Sequence, residues 1–193
     1  MLPLTEIRIA GFGGQGVILA AAVIGRAAAI FQDAHAVMTQ SFGPEVRGGS
    51  SSAQVILSTE PILYPYVTQP DVLVVMSQEA LTRFAPQLKP GGILIAEQDL
   101  VHIDRLPAGS RVYGVPATRL AEELGRKVVL NIVIVGFFGA VTNLCDPDAL
   151  RKAVAASVPP PMETLNLQAF DRGFDYGAQM VARLAENEGL IVS

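Results

Sequence analysis

Residues 7–31, IRIAGFGGQGVILAAAVIGRAAAIF, join a short β-type run to a long apolar run through a glycine-rich turn. The four residues before the turn are typical of a short strand. The alanine-rich residues after Gly16 contain no proline and are typical of a helix. The order strand, turn, helix predicts an α/β fold.

The glycines of this turn have the G-x-G-x-x-G spacing found in phosphate-binding turns, with Gly11, Gly13 and Gly16 at the three glycine positions. Missing side chains let backbone amides and the following helix N-terminus approach a phosphate. Gly14 and the uncharged amide of Gln15 lie between them. Two interpretations remain open, because the same glycines also permit a tight turn with close helix–strand packing and no ligand.

Strand-like and helix-like runs alternate along the rest of the chain. Residues 72–76 are continuously apolar, as in a strand covered on both faces. Residues 128–141 are apolar apart from Asn131 and shorter than the ~20 residues that span a bilayer, so they predict a buried helix rather than a membrane span. The alternation predicts an α/β fold with a mainly parallel, Rossmann-like sheet and helices on both faces.

Three consecutive prolines suggest where this α/β domain ends. We expect residues 1–158 to form the domain and residues 159–193 to form a C-terminal helical arm that packs on the same domain or on a partner. Gly173 and Gly177 are expected to weaken the helix of the arm.

A dinucleotide site needs an acidic residue about 20 positions after the turn, at the end of the second strand, to bind the ribose hydroxyls. Here that strand ends near Ser41, and the nearest acid, Glu45, lies beyond Pro44. The pattern therefore disfavours a nicotinamide or flavin dinucleotide. A stand-alone Rossmann-type nucleotide-binding regulatory module remains the second hypothesis.

Residues 41–52, SFGPEVRGGSSS, predict a polar loop that could hold an anion. Gly48 and Gly49 free the backbone beside Arg47, and Ser41 and three further serines offer hydroxyl groups. In an ordinary surface loop such an arginine pairs with a neighbouring carboxylate or with nothing. Because this loop leaves the carboxyl end of the second strand, we expect it to share one crevice with the glycine turn.

The pairing of residues 11–16 with residues 41–49 resembles the gamma subunit of 2-oxoacid:ferredoxin oxidoreductases, most of all the 2-oxoglutarate type, within the pyruvate/ketoisovalerate oxidoreductase gamma-domain family. The similarity covers nearly the whole chain. It continues through residues 61–65, the strand after Asp71, residues 89–92, Asn131 with Gly136, and residues 166–173.

This resemblance implies a subunit of an enzyme that oxidatively decarboxylates a 2-oxoacid to its acyl-coenzyme A and passes electrons to ferredoxin. It places thiamine diphosphate, magnesium and iron–sulfur clusters on partner alpha and beta subunits, with a ferredoxin-like delta subunit in some arrangements. It gives this chain no catalytic residue of its own, but a part in assembly and in binding the phosphates of coenzyme A. The implied binding residues are Gly11, Gly13, Gly14, Gln15, Gly16, Ser41, Arg47, Gly48 and Gly49.

Composition limits the other partners. The net charge of −4 and the scattered basic residues disfavour nucleic acid. One cysteine, Cys145, cannot hold zinc or an iron–sulfur cluster, and together with an N-terminus unlike an export signal it favours the cytoplasm. Half of the residues are hydrophobic and only 17% are charged, which suggests surface covered by partners. A purely structural subunit is the third hypothesis.

Overall fold

A six-stranded sheet with helices on both faces forms the centre of the structure, a computed structural model that describes residues 3–42 and 49–191. The strands are β1 (Thr5–Phe12), β2 (His35–Phe42), β3 (Ser50–Ser58), β4 (Val72–Val75), β5 (Ile93–Glu97) and β6 (Arg111–Val115). The helices are α1 (Val17–Phe31), α2 (Gln78–Phe84), α3 (Ala117–Glu123), α4 (Leu130–Thr142), α5 (Pro147–Ala155) and α6 (Glu163–Ile191).

The strand order is β2-β3-β1-β4-β5-β6. Strands β1, β4, β5 and β6 are parallel, which confirms the mainly parallel α/β sheet. Strand β3 is an exception that the sequence pattern did not predict, because it lies between β1 and β2 and runs antiparallel to both. The chain between β2 and β3 is too short for the crossover that parallel neighbours require, so the two strands form a hairpin.

The two faces of the sheet are covered unequally. Helices α1, α3 and α4 bury one face, with α5 and α6 packed behind them, whereas α2 covers part of the other face. Helix α4 is buried along nearly its whole length, which confirms the buried helix predicted from its apolar sequence. No helix in the described ranges is long and apolar enough to cross a membrane.

Helices α4 and α6 touch backbone to backbone. At Gly136 an added Cβ would clash with the carbonyl of Phe170, and at Gly173 it would clash with the carbonyl of Val133. Ala169 of α6 belongs to the main core. The glycines of α6 therefore let two helices approach closely, a role that their low helix propensity does not reveal.

A segment without regular structure, residues 60–69, lies over the second face beside α2. Both backbone polar groups of Val67 are held by the sheet: its N–H donates to Gln54 Oε1 (3.0 Å) and its carbonyl accepts from Arg8 Nη2 (3.0 Å). Further out, Leu63 is 94% exposed, and the exposed rings of Tyr64 and Tyr66 meet edge to face. The segment is anchored at one end and presents apolar side chains at the other.

Candidate functional site

The glycine-rich turn joins the carboxyl end of β1 to α1 through left-handed backbone. Gly14 has φ 95° and Gly16, the residue that caps α1, has φ 74°, a region that side-chain-bearing residues adopt at a cost. The backbone N–H of Gln15 closes the turn by donating to the Phe12 carbonyl (3.1 Å). These glycines are therefore required by the turn itself, whether or not a ligand binds.

The side chain of Gln15 braces the turn between two strands. Its Oε1 accepts from the amide of Phe12 (2.6 Å), and its Nε2 donates to the carbonyl of Met76, which follows β4 (2.9 Å). An added Cβ at Gly11 would clash with the Gln15 side chain. Of the predicted binding residues, Gly11 and Gln15 thus act within the fold and shape the turn.

A buried asparagine fixes the end of the turn. Asn131, only 3% exposed, donates from Nδ2 to the carbonyl of Gly16 (3.2 Å), and an added Cβ at Gly16 would lie 2.5 Å from the same nitrogen. Asn131 is 115 positions away in sequence. In the sequence, Asn131 stands out only as a polar residue within an apolar run. That pattern does not indicate that Gly16 is its hydrogen-bond partner.

The start of α1 offers unpaired backbone donors. Gly16 supplies no side-chain cap, and the first turn of the helix contains no acidic residue. The amides of Gly14 and Gly16 donate to no other residue in the parts of the chain described. Backbone donors at the positive end of a helix suit phosphate or carboxylate groups.

The β2–β3 hairpin brings the second predicted motif to this turn. Ser41, exposed near the end of β2, pairs across the ladder with Ser52, and Phe12 at the end of β1 pairs with Ser50. The amide of Gly13 donates to the carbonyl of Gly49 (2.9 Å). The two motifs therefore meet at the carboxyl ends of β1 and β2, as the sequence predicted.

Two of the predicted residues, Arg47 and Gly48, lie outside the described residues. Their contact with an anion stays a prediction. The following serines differ from the expected loop, because Ser51 and Ser52 belong to β3 and are buried. Both are buried because β3, which begins at Ser50, lies between β1 and β2 in the sheet.

One cationic residue that sequence reasoning missed also lies here. Arg83, exposed near the end of α2, donates from Nη1 to Ser50 Oγ (3.1 Å). It belongs to no motif, and only the packing of α2 on the second face brings it to the start of β3. Nothing in its local sequence distinguishes it from other surface arginines.

The strand order argues against an ordinary dinucleotide site. In that site the first two strands are neighbours, so that the acid after the second strand reaches the ribose of a nucleotide held at the first. Here β3 separates β1 from β2. The geometry thus agrees with the missing acidic residue in disfavouring the Rossmann-type alternative.

The described residues include no group of three or more His, Cys, Asp or Glu side chains placed to hold a metal ion. Cys145 is buried, and burial raises the pKa of its thiol to about 12. A protonated, enclosed thiol is a poor nucleophile. The donors that the described residues place at the glycine turn are backbone amides and the guanidinium of Arg83.

Residues 6–176 match the family described as pyruvate ferredoxin/flavodoxin oxidoreductase. The chain belongs to this family. The 2-oxoglutarate synthase subunit KorC of Methanocaldococcus jannaschii is 43% identical over 177 residues, which cover 91% of this chain and 95% of that protein. KorC of Methanothermobacter thermautotrophicus (Delta H) is 47% identical over 174 residues, covering 87% and 92%.

Solved structures of this oxidoreductase family have the same fold. The gamma subunit of a keto/oxoacid ferredoxin oxidoreductase from Geobacter sulfurreducens PCA superposes with a TM-score of 0.80 at 38% identity, over 89% of this chain and 95% of that one. The Magnetococcus marinus 2-oxoglutarate:ferredoxin oxidoreductase, solved with 2-oxoglutarate, coenzyme A and succinyl-CoA bound, gives 0.78 at 25% identity. The match covers 92% of this chain but 31% of that longer one. The resemblance to the oxidoreductase gamma subunits is confirmed.

Proposed function

We propose that this chain is the gamma subunit of a 2-oxoglutarate:ferredoxin oxidoreductase and that its glycine turn and β2–β3 loop bind the phosphates of coenzyme A. The KorC relatives support the choice of 2-oxoglutarate, and the coenzyme bound in the Magnetococcus marinus enzyme supports coenzyme A as the ligand. The observation that carries the binding role is the hydrogen bond from Gly13 to Gly49, which joins the two motifs.

The residues present fit a phosphate. The backbone amides of Gly14 and Gly16, at the start of α1, donate to no described residue, and no acidic side chain of the first turn opposes an anion. Arg47 adds a guanidinium that can donate two parallel hydrogen bonds to a phosphate. In this proposal Gln15 and Asn131 are positioning residues, because they act through the turn.

The reaction itself is assigned to the assembled enzyme. Thiamine diphosphate, with magnesium, would be bound by the alpha and beta subunits and would supply the electron sink for decarboxylation of a 2-oxoacid. This chain would hold coenzyme A so that its thiol reaches the acyl group, which is an effect of proximity and orientation. Iron–sulfur clusters on partners, with a delta subunit in some arrangements, would carry electrons to ferredoxin in the cytoplasm.

The proposal is tested with the complex reconstituted from its co-expressed subunits. We expect 2-oxoglutarate-dependent ferredoxin reduction to need this chain, and we expect Arg47→Ala to raise the KM for coenzyme A about tenfold while the KM for 2-oxoglutarate stays unchanged, because one charge-assisted contact is lost. Arg111→Ala is the matched control, since Arg111 begins β6 at the opposite edge of the sheet. Its kinetics should equal those of the wild type.

The outcomes separate the three hypotheses. Unchanged activity without this chain would exclude an enzyme subunit. Activity that needs the chain but does not respond to Arg47→Ala would favour the purely structural subunit. Tight binding of a dinucleotide to the isolated full chain, measured by calorimetry, would favour the nucleotide-binding module.

A further inference from the structure

Two arginines share one aromatic ring on the second face of the sheet. The guanidinium carbon of Arg8 lies 4.6 Å from the centroid of the Phe84 ring, and that of Arg83 lies 5.1 Å from it. Neither guanidinium forms an ion pair with a carboxylate in the described ranges. Two positive charges at one ring, offset only in part by the negative charge of Glu6, create a local positive potential.

Arg8, the inner arginine, is buried and hydrogen-bonded. Arg8 is 7% exposed, its Nη2 donates to the Val67 carbonyl, and its Nε has no hydrogen-bond partner in the described structure. Burial, and then the charge of Arg83, lower the pKa of its guanidinium, although an arginine remains protonated at neutral pH. Its positive charge is therefore permanent and lies at the same aromatic ring as that of Arg83.

The outer arginine reaches the candidate site. Arg83 is exposed and donates to the Ser50 hydroxyl, Ser50 pairs with Phe12 at the end of β1, and the preceding Gly49 carbonyl is held by the Gly13 amide. A single residue, Ser50, therefore links the guanidinium of Arg83 to the end of β1, where the glycine turn begins. It adds a charged donor beside the backbone amides of Gly14 and Gly16.

We propose that Arg83, with the Ser50 hydroxyl, binds a second phosphate position of coenzyme A beside the glycine turn, with buried Arg8 reinforcing the positive potential. This inference rests on the proposed function. Coenzyme A carries a diphosphate and a separate 3′-phosphate, so more than one anionic group needs a counterion. A planar guanidinium beside a hydroxyl provides the directed donors that phosphate oxygens accept.

The test uses the assembled complex carrying Arg83→Gln, which keeps a polar side chain of similar length. We expect the KM for coenzyme A to rise about tenfold, the loss of one charge-assisted contact, with the KM for 2-oxoglutarate unchanged. Arg83→Lys should retain part of the affinity, because the charge remains but the planar pair of donors is lost. Arg111→Gln, at the opposite sheet edge, is the matched control and should behave as the wild type.

A comparison of coenzyme A with its 3′-dephospho form identifies the phosphate. If Arg83 binds the 3′-phosphate, Arg83→Gln should have no effect with the dephospho form. If it binds the diphosphate, the increase should be equal with both. Either result supports the proposal.

Three results would overturn the inference, and they are distinguishable from failure of the proposed function. If Arg47→Ala raises the KM for coenzyme A but Arg83→Gln does not, only the second phosphate position is wrong. If neither variant changes it, both proposals fail. If Arg83→Gln weakens assembly in sedimentation experiments while the KM for coenzyme A is unchanged, the arginine instead binds an acidic group of a partner subunit.

Discussion

Glycine has opposite roles in two regions of this molecule. In the turn after β1, Gly14 and Gly16 adopt left-handed backbone. Where α4 crosses α6, Gly136 and Gly173 have ordinary helical backbone, and their missing side chains bring the two helices into contact. In the turn, glycine is needed for its backbone conformation. In the helix pair, it is needed because there is no room for a side chain. A glycine in the sequence therefore has no single meaning until its surroundings are known.

The largest effect is expected in the helix pair. Gly173→Ala places a methyl group against the carbonyl of Val133, and because backbone cannot move away as a side chain can, we expect a loss of about 3 kcal/mol or more of unfolding free energy. Gly25→Ala in α1 is the matched control, since its new methyl group meets only ordinary contacts. It should stabilise the chain by about 0.5–1 kcal/mol. Urea denaturation of the full chain measures both, and equal effects would contradict the packing argument.

A smaller effect is expected in the turn. Gly16→Ala adds both left-handed strain and a collision with Asn131, for a cost of about 2 kcal/mol, whereas Gly14→Ala adds strain alone and should cost about 1 kcal/mol. Thermal and urea unfolding compare the two variants. A larger loss of stability in Gly14→Ala than in Gly16→Ala would show that backbone strain outweighs the collision with Asn131.

A double-mutant cycle separates the two contributions at Gly16. Asn131→Ala removes the group that a new methyl would meet, so the combined Gly16→Ala and Asn131→Ala variant should be more stable than additivity predicts, by about 1 kcal/mol. The same cycle with Gly14→Ala should be additive, because nothing lies within 4 Å of its added Cβ. Coupling in both cycles would point to a general loosening of the turn.

The smallest effect is expected in alkylation of Cys145 by a thiol reagent in the folded chain. At pH 8 Cys145 should stay unmodified while Ser41→Cys at the exposed end of β2 reacts, because burial raises the pKa of Cys145 to about 12. A raised pKa favours the folded state fully below the ordinary thiol pKa, and this contribution is lost as pH rises towards 12. Mass spectrometry of timed alkylation should therefore show labelling of Cys145 only at high pH or on unfolding. Rapid labelling at pH 8 would show that the core opens readily.

Local patterns predicted much of this protein. The turn, α1 and the buried α4 follow from glycine spacing, alanine content and a continuous apolar run, all of which act over neighbouring residues. The meeting of the glycine turn with the hairpin was also predicted, since both motifs follow strands that run in the same direction. The antiparallel β3 was not predicted, because a strand's sequence records which residues are buried but not the direction of its neighbours.

The sequence by itself determined the family resemblance, the α/β class and the glycine turn, because these depend on contacts and backbone conformations a few residues apart. Only the tertiary structure decided that Asn131 fixes Gly16, that Gln15 braces two strands, and that Arg83 lies beside the turn. Each of these contacts joins positions that strand order and helix packing bring together. Side chains separated by tens of residues carry no local signal of the partner they will meet.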